Sequence, residues 1–361
     1  RSTPLYSSAA SDVYKRQTPA KEYIFSALEH GLSVVSANKD LVALYGPDII
    51  HKAIENHVNF SCEASVGGGI PILMPLHQSL AANQIESIVG ILNGTTNYIL
   101  SQMTETGVNY ANALADAQKQ GFAEADPTND VCGFDAARKL AILSSIGFRA
   151  NVTFDDVLVE GIEKIDKSDI QYAKDMGYTI KLLTVALRQE NGIALNVYPA
   201  FLPDNHPLSS VKGAYNAIYV TGNIVDDVMF YGRGAGALPT ASAVMGDVIS
   251  TAQHILNGST GTGMIMTDTK RIPFYSSLKL QNSYYFRLDV DDVTGVLSQI
   301  AAAFAENDIS ICEVVQKRKT KGLAELVLIT ELASRESILQ VEKGLQVLPC
   351  MRKVANVIRV M

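Results

Sequence analysis

The chain has 361 residues, with 30 Lys and Arg against 37 Asp and Glu, a net charge of −7. That balance argues against nucleic acid and anionic membranes as partners, since both reward a concentrated basic surface. With 47% hydrophobic and 19% charged residues the chain reads as folded, its length predicts two or three domains, and it contains no run of about 18 uncharged apolar residues and no basic-then-apolar signal sequence at its start.

In chain order, residues 1–17 (RSTPLYSSAASDVYKRQ) are rich in Ser and Ala and show no amphipathic period. They are expected to be a foreign or disordered leader. From Thr18 the pattern predicts a helix, with Thr18 as N-cap, Pro19 at its first position and Gly31 beyond its end. LSVVSANK then reads as a short buried strand with a polar turn, Pro47 to His57 as a second helix, and VNFSCEASV as a second strand. Helix and strand in alternation predict a mostly parallel sheet.

Further on, YANALADAQKQG is predicted to be a helix ending at Gly121, and DAARKLAILSSIG one ending at Gly147. IALNVYPAFL reads as a strand. YNAIYVTGNIVDDVMFYG reads as two strands around a turn at Gly222–Asn223, and a helix is expected from about Thr240 to Leu256. GSTGTG at 258–263 marks a linker. The remainder parses as strand, helix, strand, strand, helix, strand, a ferredoxin-like βαββαβ module.

Cys62, Cys132, Cys312 and Cys350 form no C-x-x-C pair, and the six histidines form no H-x-x-x-H pair. A zinc site is therefore not expected, and the thiols are expected to stay reduced. The carboxylates Glu124, Asp126 and Asp130 precede Asp135 and Lys139, which lie four apart on one helix face. Spacing alone favours a solvated ion pair; the sharper reading is a lysine held by a carboxylate for acid–base work. Lys39 follows an apolar strand, where α/β sheets bind ligands, although surface lysines are common there. Three glycines in EASVGGGIPI permit a phosphate cradle, a cation site of carbonyls, or simply a tight turn. GRGAGALPTASAV likewise leads glycines into a helix. Asn93 to Asn97 in GILNGTTNYIL stand at a helix N-terminus that suits an anion or ordinary capping. No segment matches G-x-G-x-x-G.

Taken in order, PAKEYIFSALEHGLSVVSANK, EASVGGGIPI, GILNGTTNYIL, GFAEADPTNDVCGFDAARKLAIL and YGRGAGALPTASAV resemble the homoserine dehydrogenases over about Thr18 to Leu256. LDVDDVTGVLSQIAAAFAENDISICEVVQ resembles an ACT domain, with Thr294 where that family usually has proline. The resemblance implies an α/β and α+β chain. Its parts are a remnant of a Rossmann-like NAD(P)-binding domain (18–62), an α+β catalytic domain (63–257), a linker (258–282) and a ferredoxin-like ACT regulatory domain (283–361). It implies NAD- or NADP-dependent interconversion of L-homoserine and L-aspartate 4-semialdehyde, on the route to threonine, methionine and isoleucine, in the cytoplasm.

By motif, Lys139 resembles the general acid/base, and Lys39 the lysine near the nicotinamide and reacting carbon. Glu124 and Asp135 resemble substrate-binding carboxylates. Gly121 and Gly236, with Lys39, match positions that approach the cofactor. Glu63, Val66, Gly68 and Ile70 match a backbone-carbonyl site for a structural sodium ion. A homodimer or homotetramer and a threonine effector at the ACT domain are further implications. The family's opening strand and G-x-G-x-x-G loop are absent from this sequence, so an N-terminally truncated chain that binds NAD(P)H poorly is expected. Removing residues 265–361 from a full-length enzyme is expected to leave basal chemistry largely intact. The competing readings are a redox-inactive amino-acid-binding regulatory protein and, more weakly, a different semialdehyde or amino-acid dehydrogenase.

Overall fold

A computed structural model describes residues 9–261, 272–320 and 322–361. The chain opens with α1 (Ala9–Glu29), β1 (Val34–Val35), α2 (Lys39–Glu55) and β2 (Phe60–Ser61). β1 and β2 pair in parallel, Val34 with Phe60 and Val35 with Ser61. There follow β3 (Ile85–Ile91), α3 (Gly94–Thr106), α4 (Tyr110–Lys119), α5 (Thr128–Val131), α6 (Phe134–Gly147), β4 (Leu158–Val159) and α7 (Lys167–Asp175). Next come β5 (Tyr178–Gln189), β6 (Gly192–Pro203), β7 (Tyr215–Gly222), β8 (Asp226–Arg233) and α8 (Ala237–Leu256). The last stretch is β9 (Gln281–Asp291), α9 (Val296–Ala305), β10 (Ile311–Thr320), β11 (Leu323–Thr330), β12 (Ala333–Ser334), α10 (Arg335–Gln346) and β13 (Met351–Val360).

Several expectations need correction. Residues 9–17 are helical and run on into α1; residues 1–8 lie outside the described residues. Thr18 and Pro19 do not start a helix, and Pro19 sits inside one. Proline there removes one backbone bond and its ring crowds the carbonyl four residues earlier, a cost of about 3 kcal/mol, which is why the sequence predicts a helix boundary at this point. The second helix begins at Lys39 rather than Pro47, because the Asn38 side chain accepts the Leu41 N–H at 3.2 Å and caps it. VNFSCEASV contributes only Phe60–Ser61 as strand, and Glu63–Ser65 turns into a single 3₁₀ turn.

The parallel pairing expected of the opening strands is present in β1 and β2; the large sheet that follows is mostly antiparallel. Outside the β1–β2 pair, the strands run β10-β11-β9-β13-β6-β5-β3-β7-β8 in one sheet. Its pairings are antiparallel except β13 with β6 and β4 with β6. The order β10-β11-β9-β13, with α9 and α10, is the βαββαβ module read in the sequence. Its own apolar core joins Phe286, Leu288, Ile300, Phe304, Leu326 and Val341.

That module does not hang on a free linker. Its last strand adds to the edge of β6, Arg359 beside Ala200 and Val360 beside Phe201. Pro273 and Tyr275, inside the expected linker, bond to Ile193 at 3.0 and 2.8 Å; residues 262–271 of it lie outside the described residues. Tyr285 stacks on Phe201 with centroids 4.5 Å apart. A charged network is buried beneath this junction. Asp169 of α7, fully buried, accepts from Arg287 Nε at 2.7 Å, Tyr285 Oη at 3.1 Å and Asn356 Nδ2 at 2.8 Å. Tyr172 Oη donates to Glu325 at 2.8 Å. Excising residues 265–361 would uncover these groups, so the expectation of an unaffected catalytic part does not fit the structure.

Candidate active site

Gly133, with φ of 85°, opens α6 and places Asp135 in its first turn, where the helix dipole favours a carboxylate. Lys139 follows one turn later. Both are buried, at 4% and 9% exposure, so the pair is not the solvated one that spacing alone favours. Lys139 Nζ donates to Asp135 Oδ2 at 2.7 Å and to the Leu92 carbonyl at 2.8 Å. An ammonium has three donors, which leaves the third N–H for the cavity beside it.

Lys39, at the first turn of α2, reaches the same carboxylate from the other side, with Nζ 2.5 Å from Asp135 Oδ1. Two lysines 100 positions apart in sequence thus share one aspartate. Burial pushes the Asp135 pKa up, but the charges of Lys139 and Lys39 and the bonds they donate outweigh it and hold the carboxyl well below the usual range. Burial likewise lowers Lys39, and Asp135 more than compensates, so its pKa is raised. The carboxylate decides the charge state of Lys39, and the ammonium is its resting form.

Asn93 ties the floor together. Its Oδ1 accepts the Thr96 N–H at 2.8 Å and caps α3, as ordinary capping predicts. Its Nδ2 donates to Asp135 at 2.9 Å and to Asp130 at 2.7 Å. Burial, and then the charge of Asp135, raises the Asp130 pKa against the Asn93 bond. The sequence reads Asp130 only as a loop carboxylate and Asn93 as part of a helix N-terminus that suits an anion or ordinary capping; the shared amide bond has no local sequence signal.

Two cavities meet at this cluster. One, of about 400 Å³, is lined by Asn93, Thr95, Asp130, Asp135, Ala214 and Gly236, among others. The second, of about 540 Å³, is lined by Ala37, Asn38, Ser65, Gly67, Gly68 and Thr240, with neighbours. Lys39, Lys139, Gly234 and Ala235 line both. Gly121 and Gly236 border the smaller cavity. Glu124 is exposed on its loop, lines neither cavity, and is not brought to the cluster.

The three glycines after β2 serve a close approach. A Cβ on Gly68, whose φ is +57°, would sit 2.5 Å from the Gly234 carbonyl oxygen. Glu63 is buried, and its carboxylate accepts the N–H groups of Ile72, Leu73 and Met74 at 2.5–2.9 Å. Val66, Gly68 and Ile70 are buried beside it. Among the described residues no group of three or more His, Cys, Asp or Glu side chains could hold a metal.

An acid–base cluster between two cavities, on an α+β scaffold continuous with a ferredoxin-like module, is the arrangement of a two-part enzyme. Residues 71–249 match the family model described as homoserine dehydrogenase, and residues 284–350 match the ACT domain. The homoserine dehydrogenase of Mycobacterium tuberculosis is 43% identical over 351 residues, covering 94% of this chain and 79% of the relative. That of Bacillus subtilis is 40% identical over 343 residues, with the same coverage. The crystal structure of a homoserine dehydrogenase from Thiobacillus denitrificans superposes with a TM-score of 0.90 at 37% identity, covering 95% of this chain and 79% of that one. A hyperthermophilic archaeal homoserine dehydrogenase in complex with NADPH matches at 29% identity and a TM-score of 0.57, over 65% of this chain and 68% of that one. The chain belongs to the homoserine dehydrogenase family, a family of oxidoreductases, and carries an ACT domain. These matches do not favour the redox-inactive regulatory reading.

Proposed function

We propose that the two cavities are the substrate and nicotinamide sides of one active site, which interconverts L-homoserine and L-aspartate 4-semialdehyde with NAD or NADP. The observation that carries this is the pair of lysines lining both cavities while bound to one aspartate. The larger cavity fits the nicotinamide end of a dinucleotide. Its volume is in the range of small-molecule pockets, and its walls are backbone and small side chains that a flat ring can approach. When bound, the nicotinamide donates or accepts the hydride.

The chain's own residues handle the proton. Lys139 turns its third N–H toward the reacting oxygen, protonating it as the aldehyde becomes an alcohol and recovering the proton in reverse. Lys39 stands across Asp135 and stabilises negative charge on that oxygen. Asp135 holds both ammonium groups in place. Together with Asp130 it offers carboxylate oxygens to the substrate's amino group. Asp135, Asp130 and Asn93 are on the smaller cavity, which supports reading it as the amino-acid side. Glu124 takes the role of a substrate carboxylate only by motion of its exposed loop. Gly121 and Gly236, which leave room at the cavity rim, are assigned to the cofactor side by the family motif.

We assign the sodium site to the backbone carbonyls of Glu63, Val66, Gly68 and Ile70. A hard cation takes oxygen ligands, and the Glu63 carboxylate is already engaged by three N–H groups. The ACT domain is assigned a threonine effector and pairing into a homodimer or homotetramer, and the enzyme a cytoplasmic place in threonine, methionine and isoleucine synthesis. Free thiols are consistent with that compartment, and no described helix is long and apolar enough to cross a membrane. Calorimetry with L-homoserine on the wild type and Asp135→Asn tests the substrate assignment. Binding to the wild type and its loss in the variant are expected; equal binding to both refutes the placement.

A further inference from the structure

Lys181 of β5 is 1% exposed, and the bonds it makes go to uncharged oxygens. Its Nζ donates to Asn97 Oδ1 at 3.0 Å and to the Val211 carbonyl at 2.5 Å. Burial, and then the charge of Lys212, lowers its pKa to about 8, against the opposing charge of Glu105. A buried lysine bonded only to neutral groups is costly, and apolar residues surround it on the same strand.

What it bonds to explains its presence. The loop from Val211 to Tyr215 turns three carbonyls inward. Asn97 Nδ2 donates to those of Val211, Gly213 and Tyr215 at 3.2, 2.9 and 3.1 Å. One amide group has two N–H donors for these three acceptors, and Lys181 supplies the further donor at Val211. Lys181 also accepts nothing from Asn97; it fixes that amide's orientation by donating to its oxygen. The Gly213 N–H is held by Ser101 Oγ at 3.1 Å. The loop so fixed carries Ala214, which lines the cavity of Asp130, Asp135 and Lys139 but not the larger one. Its carbonyl oxygen lies 2.9 Å from where a Cβ on Gly94 would stand, so the loop abuts the N-terminus of α3.

The geometry points to Lys181 as a positioning residue for the amino-acid side of the active site, holding the 211–215 loop as a wall of the substrate cavity. It acts through Asn97 and Ala214 and touches no reacting atom. The inference rests on reading the Asp135 cavity as the substrate side.

The test is Lys181→Met, with L-homoserine affinity measured by calorimetry on this chain and, in a full-length enzyme carrying the same substitution, KM measured separately for homoserine and for the dinucleotide. Homoserine affinity is expected to fall about tenfold, the scale of one lost buried hydrogen bond. Dinucleotide KM and kcat are expected to stay within about threefold, since Ala214 is absent from the other cavity. A residue that only supports the fold lowers the active fraction and leaves homoserine affinity unchanged. Unchanged homoserine affinity, or equal weakening of both ligands, overturns the proposal. Lys181→Gln keeps an amide donor and is expected to lose about threefold; it is read in the same way if the Met variant does not fold. Failure of both to fold makes Lys181 a fold residue and also overturns it. Asp135→Asn is the control. If that variant too keeps homoserine affinity, the substrate-side reading fails; if only Lys181→Met keeps it, the positioning role alone fails.

Discussion

Asp135→Asn removes the charge that two ammonium groups share while changing the side-chain shape little. In the wild type Asp135 bonds Lys139 at 2.7 Å and Lys39 at 2.5 Å, with side-chain exposures of 11% and 38% for the lysines and 6% for the aspartate. Removing one partner of a buried pair costs about 3–5 kcal/mol. Solvent around Lys39 discounts its share, so about 2–3 kcal/mol is expected at neutral pH. That corresponds to a Tm lower by roughly 3–4 °C for a chain of this length. The pH dependence follows from the sign of the shift. The folded Asp135 pKa lies below its unfolded value, so its contribution is present above the ordinary carboxylate range and is lost as pH falls through the folded pKa. Thermal unfolding of both proteins from neutral pH downward should show a Tm gap that narrows in acid. A gap under about 1 °C at neutral pH, or one that widens as pH falls, refutes this account of the cluster.

Lys139→Ala in a full-length enzyme should cut turnover by roughly 10²-fold or more with the fold intact, and a variant keeping most of its kcat removes Lys139 from the acid–base role. Gly68→Ala should lower stability by about 1–3 kcal/mol in thermal unfolding, since its φ of +57° and the 2.5 Å approach of the Gly234 carbonyl both oppose a Cβ; an unchanged Tm contradicts that packing. A chain ending before β9 should aggregate or melt early in light scattering and calorimetry, because it bares the β6 edge and leaves Asp169 without Arg287, Tyr285 and Asn356. A monomeric, cooperatively folded product with native Tm would show the junction to be dispensable.

The parts legible in the sequence were those with local periodicity. Helix α6 reads directly from DAARKLAILSSIG, and with it the shared face of Asp135 and Lys139. The alternating strands and two apolar-faced helices of the C-terminal module also declare themselves. What failed depended on distant segments. Whether the Asp135–Lys139 pair is solvated or buried is set by what covers α6, and Lys39 arrives from 96 positions away. Pro19 and Pro47 read as boundaries because a lone proline carries that statistical weight, yet both sit inside helices. The union of β13 with β6 joins residues about 160 apart and leaves no mark in either strand. Glu124 is the reverse case, since a motif position carries an expected role while its exposed loop holds the side chain outside both cavities.

Buried charges are a poor source of stability, since well-packed apolar residues would do as well or better. Two such networks nevertheless occupy this molecule. The first holds two ammonium groups against Asp135, the orientation that the proposed proton transfer uses. The second, Asp169 with Arg287, Tyr285 and Asn356, fixes the register of the ACT sheet on the catalytic part. Helix α7, which supplies Asp169, packs on α3, and α3 begins at Asn93, whose amide bonds Asp135. The two networks are therefore joined by two helices in contact. A ligand on the ACT domain changes catalysis only if it binds two arrangements of the protein unequally. β13 pairs with β6, so the ACT sheet and the catalytic sheet are continuous at this junction.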